Sequence, residues 1–149
     1  MKWFFSALFL IAWALWLGGA VATLLFVQRL FHNDRSLAVV VAPQLFLTFE
    51  KYQLALAAIV VVTLASRGRK RFPALAALVL IAAITGTVSA IVVTPRIENM
   101  RRLHEEGTDA FRTLHGLSML VYLIEDVLLL AAGFLLARPP AESQGHGRK

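Results

Sequence analysis

Glu125 and Asp126 sit side by side in the middle of the last long apolar run of the sequence, and Glu50 and Lys51 sit side by side in the middle of an earlier one. Ionisable groups in such places relay protons, pair with ions or line a wet passage. They cannot face hydrocarbon without a large penalty. Each costs about 2.5–3.5 kcal/mol at a bilayer centre, so the four together would cost roughly 10–14 kcal/mol. That is comparable to the roughly 5–15 kcal/mol by which a folded domain is stable. The chain must therefore pair these groups, neutralise them or bury them around a polar cavity.

At about 100° per residue, His115, Ser118, Tyr122, Glu125 and Asp126 fall within an arc of roughly 100° on a helical wheel. They form a polar track that runs roughly 16 Å from the outer end of the last apolar run to its middle. Gln44, Thr48 and Lys51 share a face of the second run, from which Glu50 points about 100° away. Thr85 and Ser89 add hydroxyls at mid-depth on the third. The economical arrangement is a buried polar layer of Glu50, Lys51, Glu125 and Asp126, with Lys51 set against Glu125 or Asp126. One carboxyl then exceeds the available ammonium, and such a group can take and release a proton. The alternative is a structural core in which the same groups hydrogen-bond across helices and transport nothing.

Histidine opens a different reading, because neutral imidazole ligates copper and b-type haem. His32 and His104 fall in loops on the outer side and His115 at the outer end of the last run, so three of the four histidines share one side. No two have ligand spacing on one helix, and His146 lies in the polar tail. The residue pattern therefore points to no cofactor and no resident metal, with haem b or copper on the outer histidines as the alternative. No phosphate loop, nucleophile elbow or zinc-protease motif is present, and no catalytic residue is assigned: the chain reads as a non-enzyme.

These residues are positioned by a very apolar chain. Of its 149 residues 58% are hydrophobic and 16% charged, and its mean hydropathy is +0.70, which excludes an ordinary soluble domain. The net charge of +6 is confined to loops and tails between apolar runs, which fits membrane topology and not a nucleic-acid surface. Cysteine is absent, so no disulfide and no thiolate metal site can form. The predicted fold is all-α, a four-helix transmembrane bundle with spans at about 3–28, 37–65, 72–94 and 112–137 in one domain, 1–138. A polar, Gly- and Pro-rich tail at 139–149 is expected to be disordered. The first run resembles a secretory signal, with Lys2 and an Ala20-Val21-Ala22 triplet, yet it continues past that triplet and is read as a retained span.

The link Ser66-Arg67-Gly68-Arg69-Lys70-Arg71 carries four positive charges, and Lys2, Arg138, Arg148 and Lys149 flank the termini. By the positive-inside rule both termini are cytoplasmic, in a cell or inner membrane. The loop after span three should form a short amphipathic helix on the outer surface. Thr94 can cap it, Pro95 suits its first position, Ile97, Met100 and Leu103 recur at helical spacing, and Glu98 with Arg102 makes an i,i+4 pair. Gly107 would end that helix, and Thr108 or Asp109 would cap the next. Stripes of small residues, Ala14-Gly18-Ala22 in span one and Ala82-Gly86-Ala90 in span three, predict close helix approach. Their placement on the odd-numbered spans, with the charges on the even ones, hints at a parallel repeat of two helical hairpins.

The runs Leu15-Trp16-Leu17-Gly18-Gly19, Ala42-Pro43-Gln44-Leu45-Phe46, Thr94-Pro95-Arg96-Ile97 and Leu114-His115-Gly116-Leu117-Ser118, with Glu125 ten residues after the histidine, resemble the transmembrane-protein-205-like family, whose bacterial members are of the DUF4149 type, a domain of unknown function. The resemblance covers nearly the whole chain. It implies a four-helix integral membrane protein and singles out Pro95, Arg96, His115, Ser118 and Glu125, but it supplies no activity. A distant similarity to copper-resistance-D-like membrane proteins implies the haem or copper alternative. The expected function is handling of protons, cations or a small solute through the buried layer. The expected surroundings are the lipid bilayer and a homo-oligomer or membrane partner; a purely structural subunit is the remaining alternative.

Overall fold

A computed structural model describes residues 2–66 and 73–137. The basic link at 67–71 and the tail at 139–149, on which the expected orientation and disorder rest, lie outside the described residues. Four helices are long and apolar enough to cross a membrane: Trp3–Asn33, Arg35–Ser66, Pro73–Arg102 and Asp109–Ala137, of 31, 32, 30 and 29 residues. At 1.5 Å per residue each is about 45 Å long, the thickness of a bilayer with its headgroups. Backbone polar groups in hydrocarbon must be satisfied within the segment, which is why such runs can only be helices. The protein is an all-helical, multi-pass membrane protein. Large side chains such as Val40, Ile84, Ile91 and Phe134 stand exposed around the outside, while Phe9, Trp16, Val60, Val79 and Leu129 fill the interior.

We label the elements α1 (Lys2–Asn33), α2 (Arg35–Ser66), α3 (Pro73–Val88), a π-helical turn (Ser89–Val93), α4 (Thr94–Arg102) and α5 (Asp109–Ala137). Helix α1 packs along α2 and α3 along α5; α2 touches α3, and α1 meets α5 over a shorter stretch. Helices α2 and α5 therefore stand across the bundle from one another and meet through side chains. Only Asp34 separates α1 from α2. Its Oδ1 accepts the Leu37 N–H at 3.0 Å and the Ser36 hydroxyl at 2.6 Å, an N-cap that turns the chain back within one residue. The Ser36 hydroxyl, followed by the Leu37 N–H, holds the Asp34 carboxyl below its ordinary range.

The third long helix is continuous where a break was expected. Proline lacks an N–H, and inside an α-helix its ring crowds the carbonyl four residues back; α2 carries Pro43 without a change of helix type, but the turn before Pro95 does not stay α-helical. That turn is widened, and the Thr94 N–H reaches the Ser89 carbonyl five residues back. Thr94 consequently caps nothing, since its hydroxyl turns to another helix. Further along, Glu98 pairs with Arg101 at 2.5 Å and not with Arg102. Gly107 does not end α4 either. His104 occupies the left-handed region at φ 57, with its N–H on the Arg101 carbonyl and the Glu105 N–H on that of Met100, a Schellman ending in which histidine takes the usual place of glycine. Thr108 caps α5 as expected, accepting the Phe111 N–H at 3.2 Å, and Asp109 pairs with Arg112.

The small-residue stripes part company. Ala82 and Gly86 of α3 are buried against neighbouring helices, whereas Ala14, Gly18 and Ala22 of α1 are exposed. Helix α1 turns Phe9, Ala12, Trp16 and Ala20 inward because Trp16 and Phe9 bring far more surface to bury than three small side chains do.

Candidate functional site

Two buried carboxylates organise the centre of the bundle. Glu50 of α2, 3% exposed, receives three hydroxyls on its Oε1: Thr94 at 2.6 Å, Tyr122 at 2.7 Å and Ser89 at 3.1 Å. Ser89 and Thr94 lie at the two ends of the π turn. Five residues apart in an α-helix they would diverge by about 140°, and the wider turn swings them toward one face. Pro95 thus shapes the Glu50 site without touching it.

Glu125 of α5, 1% exposed, sits one helical turn further along. Its Oε1 accepts the indole N–H of Trp16 at 2.7 Å, and its Oε2 accepts the side-chain amide of Gln53 at 3.1 Å. Gly86 forms the wall: a Cβ there would lie 2.1 Å from Gln53 Nε2 and 2.9 Å from Glu125 Oε2. The absence of a side chain at Gly86 is what lets α3 close over this carboxylate. Four helices supply this tier, Trp16 from α1, Gln53 from α2, Gly86 from α3 and Glu125 from α5.

The tiers are linked. Glu50 meets Tyr122 and Gln53 meets Glu125, both pairs at a sequence separation of 72, so α2 and α5 run parallel and in register. Each helix gives one carboxylate and, one turn away, a donor for the other helix's carboxylate. Burial of charge is tolerable when its lone pairs are satisfied, and here the partners of Glu50 and Glu125 are neutral hydroxyl, indole and amide groups. No ion pair reaches either carboxylate among the described residues.

The predicted residues divide accordingly. Glu50, Glu125, Ser118 and Tyr122 face inward or line the interior. Lys51, Gln44 and Thr48 lie on the exposed face of α2, and the Thr48 hydroxyl is bonded back to the Gln44 carbonyl at 2.7 Å. The expected pairing of Lys51 with Glu125 or Asp126 is not made. Adjacent residues on a helix point about 100° apart, so Glu50 and Lys51 could not both turn inward, and the interior donors select the carboxylate. Asp126 turns aside from Glu125 into a cavity of about 380 Å³ between α1, α2 and α5, where its Oδ1 is buried without a hydrogen-bond partner.

The outer track survives in part. His115 stacks on Phe111 with centroids 5.9 Å apart, and the Arg101 guanidinium lies over that same Phe111 ring. A cleft of about 40 Å³ runs past His115, Ser118, Thr94 and Tyr122, bordered by Glu98 and Arg101, and ends at the hydroxyls that hold Glu50. Pro95 and Arg96 border a separate surface hollow. His32 is exposed and His104 ends α4, and no group of three metal-binding side chains forms among the described residues.

Gln53 and Trp16 hold Glu125 although the sequence pattern does not single them out, and Thr94, which reads as a helix cap, donates to Glu50. Gln53 had a signal, because it lies three residues after Glu50 on the same helix face. Trp16 had none beyond its place in an apolar run, since an indole donor is chosen by tertiary contact.

The profile of a family described as a domain of unknown function, DUF4149, matches residues 11–106. That range holds Trp16, Glu50, Gln53, Gly86, Ser89 and Thr94 and stops before His115, Tyr122 and Glu125. No curated protein and no solved structure matches the chain.

Proposed function

The chain belongs to the DUF4149 family, which assigns it no activity, and we propose that it handles protons through the Glu50 and Glu125 tiers of its interior. The observation that carries this reading is that both carboxylates are buried and bonded to neutral donors, with no cation against either among the described residues. An ionised carboxylate so placed depends on every donor, and protonation removes its charge at the centre of the membrane. The cleft from His115 is large enough for water and supplies the access that proton exchange at Glu50 needs.

In this reading a proton arriving past His115 and Ser118 is relayed by hydroxyls. Tyr122, Thr94 and Ser89 all donate to Glu50 Oε1, and because a hydroxyl can also accept, each can turn as Glu50 gains or loses a proton. Glu125 lies one turn further along, set by the shared register of α2 and α5. The unpartnered Gln53 Oε1 is the acceptor that a protonated Glu125 requires, reached by turning the amide about its last torsion. The remaining parts of the reading are an inner-membrane location with both termini cytoplasmic, a likeness to the transmembrane-protein-205-like proteins, no enzymatic step and no cofactor.

The test is flux into liposomes reconstituted with purified protein, read by an entrapped pH dye under imposed pH and potassium gradients. Glu50→Gln and Glu125→Gln should each abolish proton movement while leaving helical content by circular dichroism unchanged. If the parent protein moves no protons under any gradient, the buried layer is structural. An absorption spectrum and metal analysis of the same preparation test the cofactor alternative, which requires a Soret band or bound copper.

A further inference from the structure

The geometry points to self-assembly in which Lys51 of one copy enters the Asp126 cavity of the next. Lys51 is the seventeenth of the 32 residues of α2, on its exposed face beside Tyr52, Thr48 and Gln44. Either end of that helix is more than about 20 Å away along the axis, too far for a lysine side chain to carry its ammonium to the headgroups. An isolated ammonium facing lipid at that depth is strongly disfavoured, and Lys51 makes no ion pair among the described residues.

Asp126 presents the complementary problem. Its Oδ1 is buried and unpartnered at the wall of a cavity of about 380 Å³. Ala20 and Leu24 of α1, Phe46 and Phe49 of α2, and Leu120 and Leu123 of α5 surround it. The titratable groups facing Asp126 are Tyr122, which lines the same cavity, and the adjacent Glu125, and no basic side chain from α1, α2 or α5 lines the cavity. Leu24, Leu120 and Leu123 at its rim are exposed, so the cavity opens on the lipid-facing surface.

The two groups match in depth. With α2 and α5 parallel at an offset of 72, Asp126 is level with position 126 − 72 = 54, about 4.5 Å along the axis from Lys51. One chain cannot join them, because Lys51 faces outward from α2 while the cavity opens between α1 and α5. A second copy can, with its lysine stem on the apolar walls and its ammonium at Asp126. The contact joins two different patches, so it is head-to-tail, and successive copies form a ring where the rotation between them closes. It stands apart from proton handling, since assembly is measured without a gradient.

The chain has no cysteine, which makes the test direct. Lys51→Cys and Asp126→Cys proteins carrying tags of different size are mixed, reconstituted into liposomes and treated with a membrane-permeant bis-maleimide, which spans the reach of the lysine stem that a disulfide cannot. A crosslinked band containing both tags is expected. Absence of that band, or a product formed by Lys51→Cys with itself alone, overturns the proposal. Charge exchange decides it independently. Lys51→Glu and Asp126→Lys should each lower the assembled fraction at fixed lipid ratio at least tenfold, and combining them in one chain should restore it. Failure of the combination to restore assembly, or a single photobleaching step for the labelled parent protein, also overturns it.

Discussion

Glu50 and Glu125 are buried to the same degree one helical turn apart, yet the protein holds them by different chemistry. Glu50 receives hydroxyls from Ser89, Thr94 and Tyr122, all on one oxygen. Glu125 receives N–H donors, one on each oxygen, from Trp16 and Gln53. A hydroxyl donates or accepts as needed, while an indole only donates. The Glu50 tier can therefore rearrange around a proton with no change in packing. The Glu125 tier is fixed by two large side chains and by backbone at Gly86. Both tiers can take a proton, but the first adapts by turning hydroxyls and the second only by turning the Gln53 amide, so the first favours exchange and the second position.

That contrast predicts that stability concentrates at Glu125. Trp16 is fully buried and supplies, among the described residues, the only donor to Oε1, so Trp16→Ala loses both an indole's packing and that bond. The expected loss is about 3–5 kcal/mol, read as thermal unfolding in detergent. A loss no larger than that of a hydroxyl deletion at Glu50 would erase the distinction. Next comes Gly86→Ala, whose new Cβ meets Gln53 Nε2 at 2.1 Å and must displace it from Glu125. Overpacking of this kind costs about 1–3 kcal/mol. Pairing it with Gln53→Ala should recover part of the loss by removing the clash.

Four apolar runs broken by charged loops made the helices legible, because hydrocarbon leaves the backbone one solution. Burial of Glu50 and Glu125 was legible for the same reason. Their partners were not. A lysine beside a glutamate invites an ion pair, but Lys51 and Glu50 diverge on the helix, and the sequence does not show which one the bundle takes inward. Thr94 before Pro95 reads as a cap because that dipeptide starts many helices; here the π turn absorbs the proline and frees the hydroxyl for Glu50. Trp16 and Glu125 are 109 residues apart, and only the packing of α1 against α5 brings them together. The reversed stripes of α1 and α3 carry the same lesson: small residues permit close approach, and the larger neighbours decide which face makes it.

At Glu50 the deletions should be milder. Tyr122→Phe keeps the ring against Phe46, with centroids 5.3 Å apart, and removes one of three hydroxyls from an oxygen that keeps two. Interhelical hydrogen bonds inside membranes contribute about 0.6 kcal/mol on average and at most about 1.7. A loss of about 1 kcal/mol is expected. Proton flux should fall much further than stability, because Tyr122 joins the outer cleft to Glu50. A stability loss matching that of Gly86→Ala, with flux unchanged, would reverse the assignment of roles to the two tiers.

The smallest expected effect is at Ser89, whose hydroxyl makes the longest of the three bonds, 3.1 Å. Ser89→Ala should cost about 0.5 kcal/mol, near the average for such bonds. The π turn should survive, since it answers to Pro95 and to the Thr94 N–H on the Ser89 carbonyl, neither of which the substitution removes. Pro95→Ala is the informative companion. Without the ring the turn can tighten toward an α-helix, which would rotate Thr94 away from Ser89 and leave Glu50 with fewer donors. Unfolding measured for the two single variants and their combination separates the cases. If the π turn serves Glu50, the Ser89 substitution costs less once Pro95 is gone; if the two effects simply add, the turn and the carboxylate are independent features of the same helix.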